Sequence, residues 1–104
     1  MKTGLNNELG IETSNIKNAA LLLRALNNSL RQKILQFIHL NSRVTVTEVH
    51  IEFRIEQSVA SDHLGILRAA KLVVNERKGR FIFYEVNYKE LYRLHLLFEE
   101  FLGD

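Results

Sequence analysis

Two short stretches carry most of the side chains that could do chemistry. One is Gln57-Ser58-Val59-Ala60-Ser61-Asp62-His63-Leu64; the other is Arg77-Lys78-Gly79-Arg80. The first supplies a carboxamide, two hydroxyls, a carboxylate and an imidazole, all groups that hydrogen-bond. Bond-making suits them poorly. Ser58 or Ser61 could be imagined as a nucleophile with His63 as its base, but on one helix these side chains project in different directions. The chain has no Cys, so it has no thiolate nucleophile, no disulfide and no thiolate metal site. It also lacks a phosphate-cradling Gly loop and any acid/base pair whose spacing implies a site. No catalytic residue is therefore expected, and no enzyme.

What remains is recognition chemistry, and the charge distribution says of what. From Arg54 to Arg80 there are six basic residues (Arg54, Arg68, Lys71, Arg77, Lys78, Arg80) and three acids (Glu56, Asp62, Glu76). That is a surplus of three in a chain whose net charge is only +2, so the remainder is net −1. Basic charge gathered in one region fits a polyanionic partner; a solvated basic face with no partner is the plainer alternative. His95 and Glu99, four apart, share a helix face, whereas His39 and His50 have no companion at ligand spacing.

These residues need elements to position them. At 104 residues the chain fits one domain. Its longest apolar runs fall far below the ~20 residues that span a bilayer, and the opening MKTGLNNELG lacks the apolar core of a signal peptide. No membrane partner is expected, and the expected location is cytoplasmic. Residues 1–12, polar with Gly4 and Gly10, are expected to be a flexible N-terminal segment, and residues 13–104 the folded domain.

A first helix is expected after Thr13 or Ser14, with Ile16, Ala19, Ala20, Leu23 and Leu26 at helical spacing and Leu22 widening the stripe. A second starts at an Asn28 cap, buries Leu30, Ile34, Phe37 and Ile38, and stops near Asn41. The β-branched SRVTV suggests a brief strand, and TEVHIEF a short helix capped by Thr47 with Val49 and Phe53 inward.

The 57–69 stretch puts Ala60, Leu64 and Leu67 on one side of a helix. Ser58, Asp62, Gly65 and Ala69 lie on the other, flanked by Val59, Ser61 and Ile66. That outer face is small where Glu, Lys and Gln are usual. Small side chains allow close approach, either to a ligand surface or to a second packing face of the same domain. VVNERKGRFIFYEV then reads as two strands joined at Lys78-Gly79, with Arg77, Lys78 and Arg80 at the tip. A last helix carries Leu91, Leu94, Phe98 and Phe101 on one stripe, widened by Leu97 and Leu102. The result is mainly α with a small β-hairpin, in the order α-α-β-α-α-β-β-α, the plan of a winged helix-turn-helix.

In this order and spacing the motifs resemble the ArsR/SmtB family of small bacterial repressors over roughly residues 16–102. The matching residues are Ala25-Leu26 followed by Arg31 and Ile34-Leu35; Gln57-Ser58 with Ser61 and His63-Leu64; Leu67; Leu72-Val73; and Gly79-Arg80 followed by Phe81, Phe83 and Tyr84. Where the family has Gly before Leu-Val, Lys71 stands here. Asp62 replaces a basic or polar residue, and Glu56 a Ser or Thr cap. The metal-sensing Cys-x-Cys aligns with Thr45-Val46-Thr47, whose hydroxyls are poor ligands for soft metals. Some members bind zinc across the last helix between two subunits. His95 and Glu99 from each of two chains could make such a four-ligand site, but i, i+4 pairs of this kind are common on helix surfaces. No metal site and no cofactor is expected.

The resemblance implies a homodimeric repressor of double-stranded DNA, reading a palindromic operator. The second helix of the tandem pair would enter the major groove. Gln57, Ser58, Val59, Ser61 and Asp62 would then meet bases or phosphates: Gln pairs with adenine, Val packs on a thymine methyl, and a carboxylate accepts from cytosine. His63 would either donate to a phosphate or brace the helix from inside. Arg77, Lys78 and Arg80 would reach flanking phosphates or the minor groove. Ile16, Ala20, Leu23, Leu91, Leu94, Phe98 and Phe101 would form the dimer. The rival from another class is a winged-helix protein-interaction module that does not bind DNA.

Overall fold

The computed structural model describes residues 13–103, with side chains from residue 17 onward. The expected flexible segment, residues 1–12, lies outside the described residues. Five helices and three strands follow in the expected order: α1 (Thr13–Leu26), α2 (Ser29–Asn41), β1 (Val44–Thr45), α3 (Val46–Phe53), α4 (Gln57–Ala69), β2 (Val73–Lys78), β3 (Phe81–Val86) and α5 (Tyr88–Leu102). The strands form one antiparallel sheet in the order β1-β3-β2. Val44 pairs with Tyr84, and the hairpin runs in register from Val73↔Val86 to Lys78↔Phe81.

Local chemistry sets the helix ends. Asn28 caps α2 by accepting from the Arg31 backbone N–H at 2.9 Å. The short helix α3 is not capped by Thr47. It starts two residues earlier, from Thr45, in a full capping box. The Thr45 hydroxyl accepts from the Glu48 N–H (3.2 Å), and the Glu48 carboxylate accepts from the Thr45 N–H (2.8 Å). A Glu three residues on decides between the two threonines; Thr47 would need an acid or amide at His50.

Helices α3 and α4 both end in Schellman turns. After α3, Ile55 N–H donates to His50 C=O and Arg54 N–H to Ile51 C=O, with Arg54 left-handed at φ 55°. After α4, Leu72 donates to Leu67 and Lys71 to Arg68, with Lys71 at φ 64°. Lys71 thus holds a left-handed position that would suit Gly, which has no Cβ to strain there. Across the hairpin, the turn residues are Gly79 and Arg80 rather than Lys78-Gly79. Lys78 closes the ladder opposite Phe81, and only Gly79 of the turn pair has positive φ (64°), the II′ pattern.

The core is built by Ile34 and Ile38 from α2, Val49 from α3, Ala60, Leu64 and Leu67 from α4, then Leu72, and Val44, Val73, Tyr84 and Val86 from the sheet. Phe37 and Phe53 pack edge to face at 5.6 Å. Among the described residues one charged side chain joins this interior. Arg31, on the Ile34–Ile38 stripe, is 8% exposed. It donates from Nε to Ala25 C=O (3.0 Å), from Nη2 to Arg24 C=O (2.7 Å) and from Nη1 to His63 Nδ1 (3.3 Å). It therefore ties the last turn of α1 to α4. His63 is held below its ordinary pKa of 6.5 by burial first and by the Arg31 charge second, with Asp62 pulling the other way.

Two outcomes follow. Replacing Lys71 with Gly should raise unfolding free energy by about 1 kcal/mol, because the left-handed backbone loses its Cβ strain; urea denaturation reads it. His63 takes up its proton less readily folded than unfolded, so its contribution is intact above pH 6.5 and is lost as pH falls from there through the lowered folded value. Wild type should lose more urea resistance between about pH 7.5 and about pH 5.5 than His63→Gln does.

Candidate nucleic-acid interface

Helix α4 is seated through one side only. Ala60 and Leu64 are fully buried and Leu67 is 1% exposed, while Gln57, Ser58, Val59, Ser61, Asp62, Gly65 and Ala69 are exposed. A Cβ at Gly65 would meet nothing within 4 Å, so among the described residues none packs on the small outer face there. Helix α3 packs against α4 across the Arg54 turn, which makes the tandem pair. The N-cap of α4, Glu56, makes no side-chain cap hydrogen bond. The first N–H groups of α4 are therefore left without the side-chain acceptor that α3 has. Free N–H groups and the positive end of the helix dipole both favour an anion there.

His63 sits at the edge between the buried and bare faces and is half-buried. Its ring is contacted from inside by Arg31 Nη1 at 3.3 Å. The wing residues Arg77, Lys78 and Arg80 are all exposed. Arg77 Nη1 donates to Gly79 C=O at 3.1 Å and so stiffens the tip. The Arg80 guanidinium lies 5.1 Å from the Phe81 ring centroid, within cation–π reach. Among the described residues no ion pair neutralises these three cations. By contrast Arg43 is occupied: it stacks 4.1 Å from the Phe83 centroid, flanked by Glu85 (3.8 Å) and Glu76 (3.9 Å).

The residues assigned to dimerisation divide in two. Helix α1 turns Leu21, Leu22 and Ala25 to the core and leaves Ala20 and Leu23 exposed, Leu23 by 67%. The Ile16 side chain lies outside the described residues. On α5, Leu91 and Leu94 pack partly against their own core, and Phe98 and Phe101 continue the stripe into the open. Tyr92 and Leu96 add exposed apolar surface on a side of α5 that the stripe did not include. No residue of α5 is fully buried, although the helix is largely apolar. His95 Nε2 faces Glu99 Oε2 at 3.6 Å on the exposed surface of α5. Thr45 is engaged in its capping box. Among the described residues no group of three or more metal-ligating His, Cys, Asp or Glu side chains is found, and no helix is long and apolar enough to cross a membrane.

Arg31 is the residue that pattern reasoning left without a role. Its signal was present: an ionisable residue at i, i+3 and i+7 with Ile34 and Ile38 lies on the stripe that must be buried, and a buried Arg needs acceptors.

No protein-family model matches the chain. The transcriptional repressor SdpR of Bacillus subtilis (strain 168) is 32% identical over 66 residues, which are 64% of this chain and 72% of that repressor. The crystal structure of the transcriptional repressor PagR of Bacillus anthracis superposes with a TM-score of 0.64 at 25% identity, covering 84% of this chain and 99% of PagR. A homodimeric winged helix-turn-helix DNA-binding domain from Mycobacterium bovis superposes with a TM-score of 0.70 over 83% of this chain and 79% of its own; at 23% identity it speaks for the fold alone. The tandem helices, the wing and the SdpR relationship together place this chain in the ArsR/SmtB family of winged helix-turn-helix transcriptional regulators.

Proposed function

We propose that the protein is a sequence-specific regulator that binds double-stranded DNA as a homodimer and represses transcription from a palindromic operator. Residues 13–104 act as one DNA-binding domain, with the first and last helices dimerising. It is not an enzyme. The observation that carries this reading is the one-sided seating of α4, which leaves a small, polar outer face bare. Helix α4 enters the major groove with Gln57, Ser58, Val59, Ser61 and Asp62 toward base edges and phosphates, and His63 at the groove edge. Arg77, Lys78 and Arg80 meet flanking phosphates. The uncapped start of α4 suits a phosphate rather than Asp62, so Asp62 is best accommodated as an acceptor for cytosine N4. A cysteine-based metal switch has no residues to use, and DNA binding proceeds without a cofactor.

The dimer reading rests on apolar faces that the monomer leaves open on α1 and α5. A two-fold dimer would set two α4 helices about one DNA turn apart, ~34–36 Å, on one side of a palindrome. The protein-interaction alternative is separated from DNA binding by salt. Phosphate contacts release counterions and give a steep fall of affinity with ionic strength, which an apolar protein contact does not.

Sedimentation at micromolar concentration should give a species of twice 12.1 kDa; a monomer there contradicts both the dimer and the palindrome. Fluorescence anisotropy with duplexes from the protein's own upstream region should show steep salt dependence. Joint replacement of Lys78 and Arg80 by Ala should weaken binding to all duplexes alike and reduce the slope of log affinity against log salt by about 0.9 for each lost contact. Gln57→Ala should instead change which sequence is preferred. An unchanged slope in the wing variant means the wing does not touch DNA.

A further inference from the structure

The least expected polar contact in the molecule runs from α1 through Arg31 to α4. The last carbonyls of a helix have no intrahelical partner. Two carbonyls from the C-terminal turn of α1, Arg24 and Ala25, are taken up by the Arg31 guanidinium at 2.7 and 3.0 Å. The third arm of the same group reaches His63 Nδ1 at 3.3 Å. A guanidinium only donates, so Nδ1 must be the accepting nitrogen. A neutral imidazole carries one ring proton, and that proton is then on Nε2. No described residue accepts a hydrogen bond from Nε2, and the ring is half-buried beside the bare face of α4.

We propose that Arg31 is a positioning residue for DNA contact: it holds the His63 ring by Nδ1 and so presents Nε2–H to a backbone phosphate at the groove edge. This rests on the DNA-binding reading above. It adds that the end of the dimerising helix α1, through Arg31, sets the orientation of a contact made by α4. Burial and the Arg31 charge both favour the neutral ring on which this depends. A neutral donor displaces no counterion, which separates its loss from the loss of a charged contact.

The test uses the full chain with wild type, Arg31→Met, Arg31→Lys, His63→Asn, His63→Gln and the Arg31→Met/His63→Asn double variant, each checked for folding by its thermal melt. Long-range nitrogen–proton NMR of the free protein at about pH 7.5 should show His63 with its proton on Nε2 in wild type, and a mixture of tautomers in both Arg31 variants. In DNA binding, His63→Gln places an amide N–H near the Nε2 position and should stay within about threefold of wild type. His63→Asn cannot reach and should lose about tenfold with an unchanged salt slope. Arg31→Met should also lose about tenfold, but the double variant should be no more than about twofold worse than His63→Asn alone. If Arg31→Met does not fold, Arg31→Lys, which keeps the charge but cannot span three acceptors, takes its place in the comparison. Losses that multiply in the double variant, a salt slope that falls, or an Nδ1–H tautomer in wild type each overturn the proposal. If wild type binds no duplex, the DNA reading fails first and the proposal falls with it. If wild type binds and the losses multiply, only the role of Arg31 fails.

Discussion

Burial of Ala60, Leu64 and Leu67 on the side of α4 that packs against α1, α2, α3 and β2 is the constraint on which the molecule depends. Fully burying a Leu side chain contributes about 1.5–3 kcal/mol, so the two leucines alone hold α4 with a sizeable share of a small domain's net stability. All three lie on one side of the helix, and so the opposite side owes nothing to the fold. It is free to be small, polar and uncovered. Polar side chains on a firmly seated helix are pre-positioned at little further cost in side-chain order, which is what a reading surface requires.

The same logic applies to α1 and α5 with the sign reversed. Helix α1 is apolar on two faces, and among its described side chains Leu21, Leu22 and Ala25 are the ones that pack inside its own domain. Helix α5 uses Leu91 and Leu94 and leaves Leu97, Phe98, Phe101 and Leu102 open. A helix that is hydrophobic beyond one stripe is built to be covered on more than one side. Where α4 exposes hydrogen-bonding groups, these two helices expose hydrocarbon. The molecule thus has one surface suited to a hydrated polyanion and another suited to a dry contact. Arg31 stands between them, bonded to the end of α1 on one side and to α4 on the other.

Much of this was legible from residue spacing. The Ala60, Leu64, Leu67 stripe and the Asn28 cap follow from periodicity and cap chemistry and stand where the patterns put them, and the two-stranded wing is present with its turn one residue later than expected. Cap chemistry was less legible because two threonines compete before α3, and only the reciprocal bond to Glu48 selects Thr45. Lys71 in a left-handed turn was invisible to pattern, since a Schellman turn is recognised by the Gly it normally carries. Leu91 and Leu94 sit on the same stripe as Phe98 and Phe101, and helical spacing cannot tell which part of one stripe is covered by its own domain. The position of Arg31 was readable, but not its partners, because its acceptors are two main-chain carbonyls and a ring thirty-two residues away.

The most direct measurement is an NMR titration of the protein with a duplex from its own upstream region, following backbone amide shifts residue by residue. The account requires the largest shifts at residues 57–65 of α4 and 77–80 of the wing, with small changes along residues 91–102 of α5. Shifts concentrated on α5, or a bare face of α4 that remains unperturbed at saturation, would contradict it.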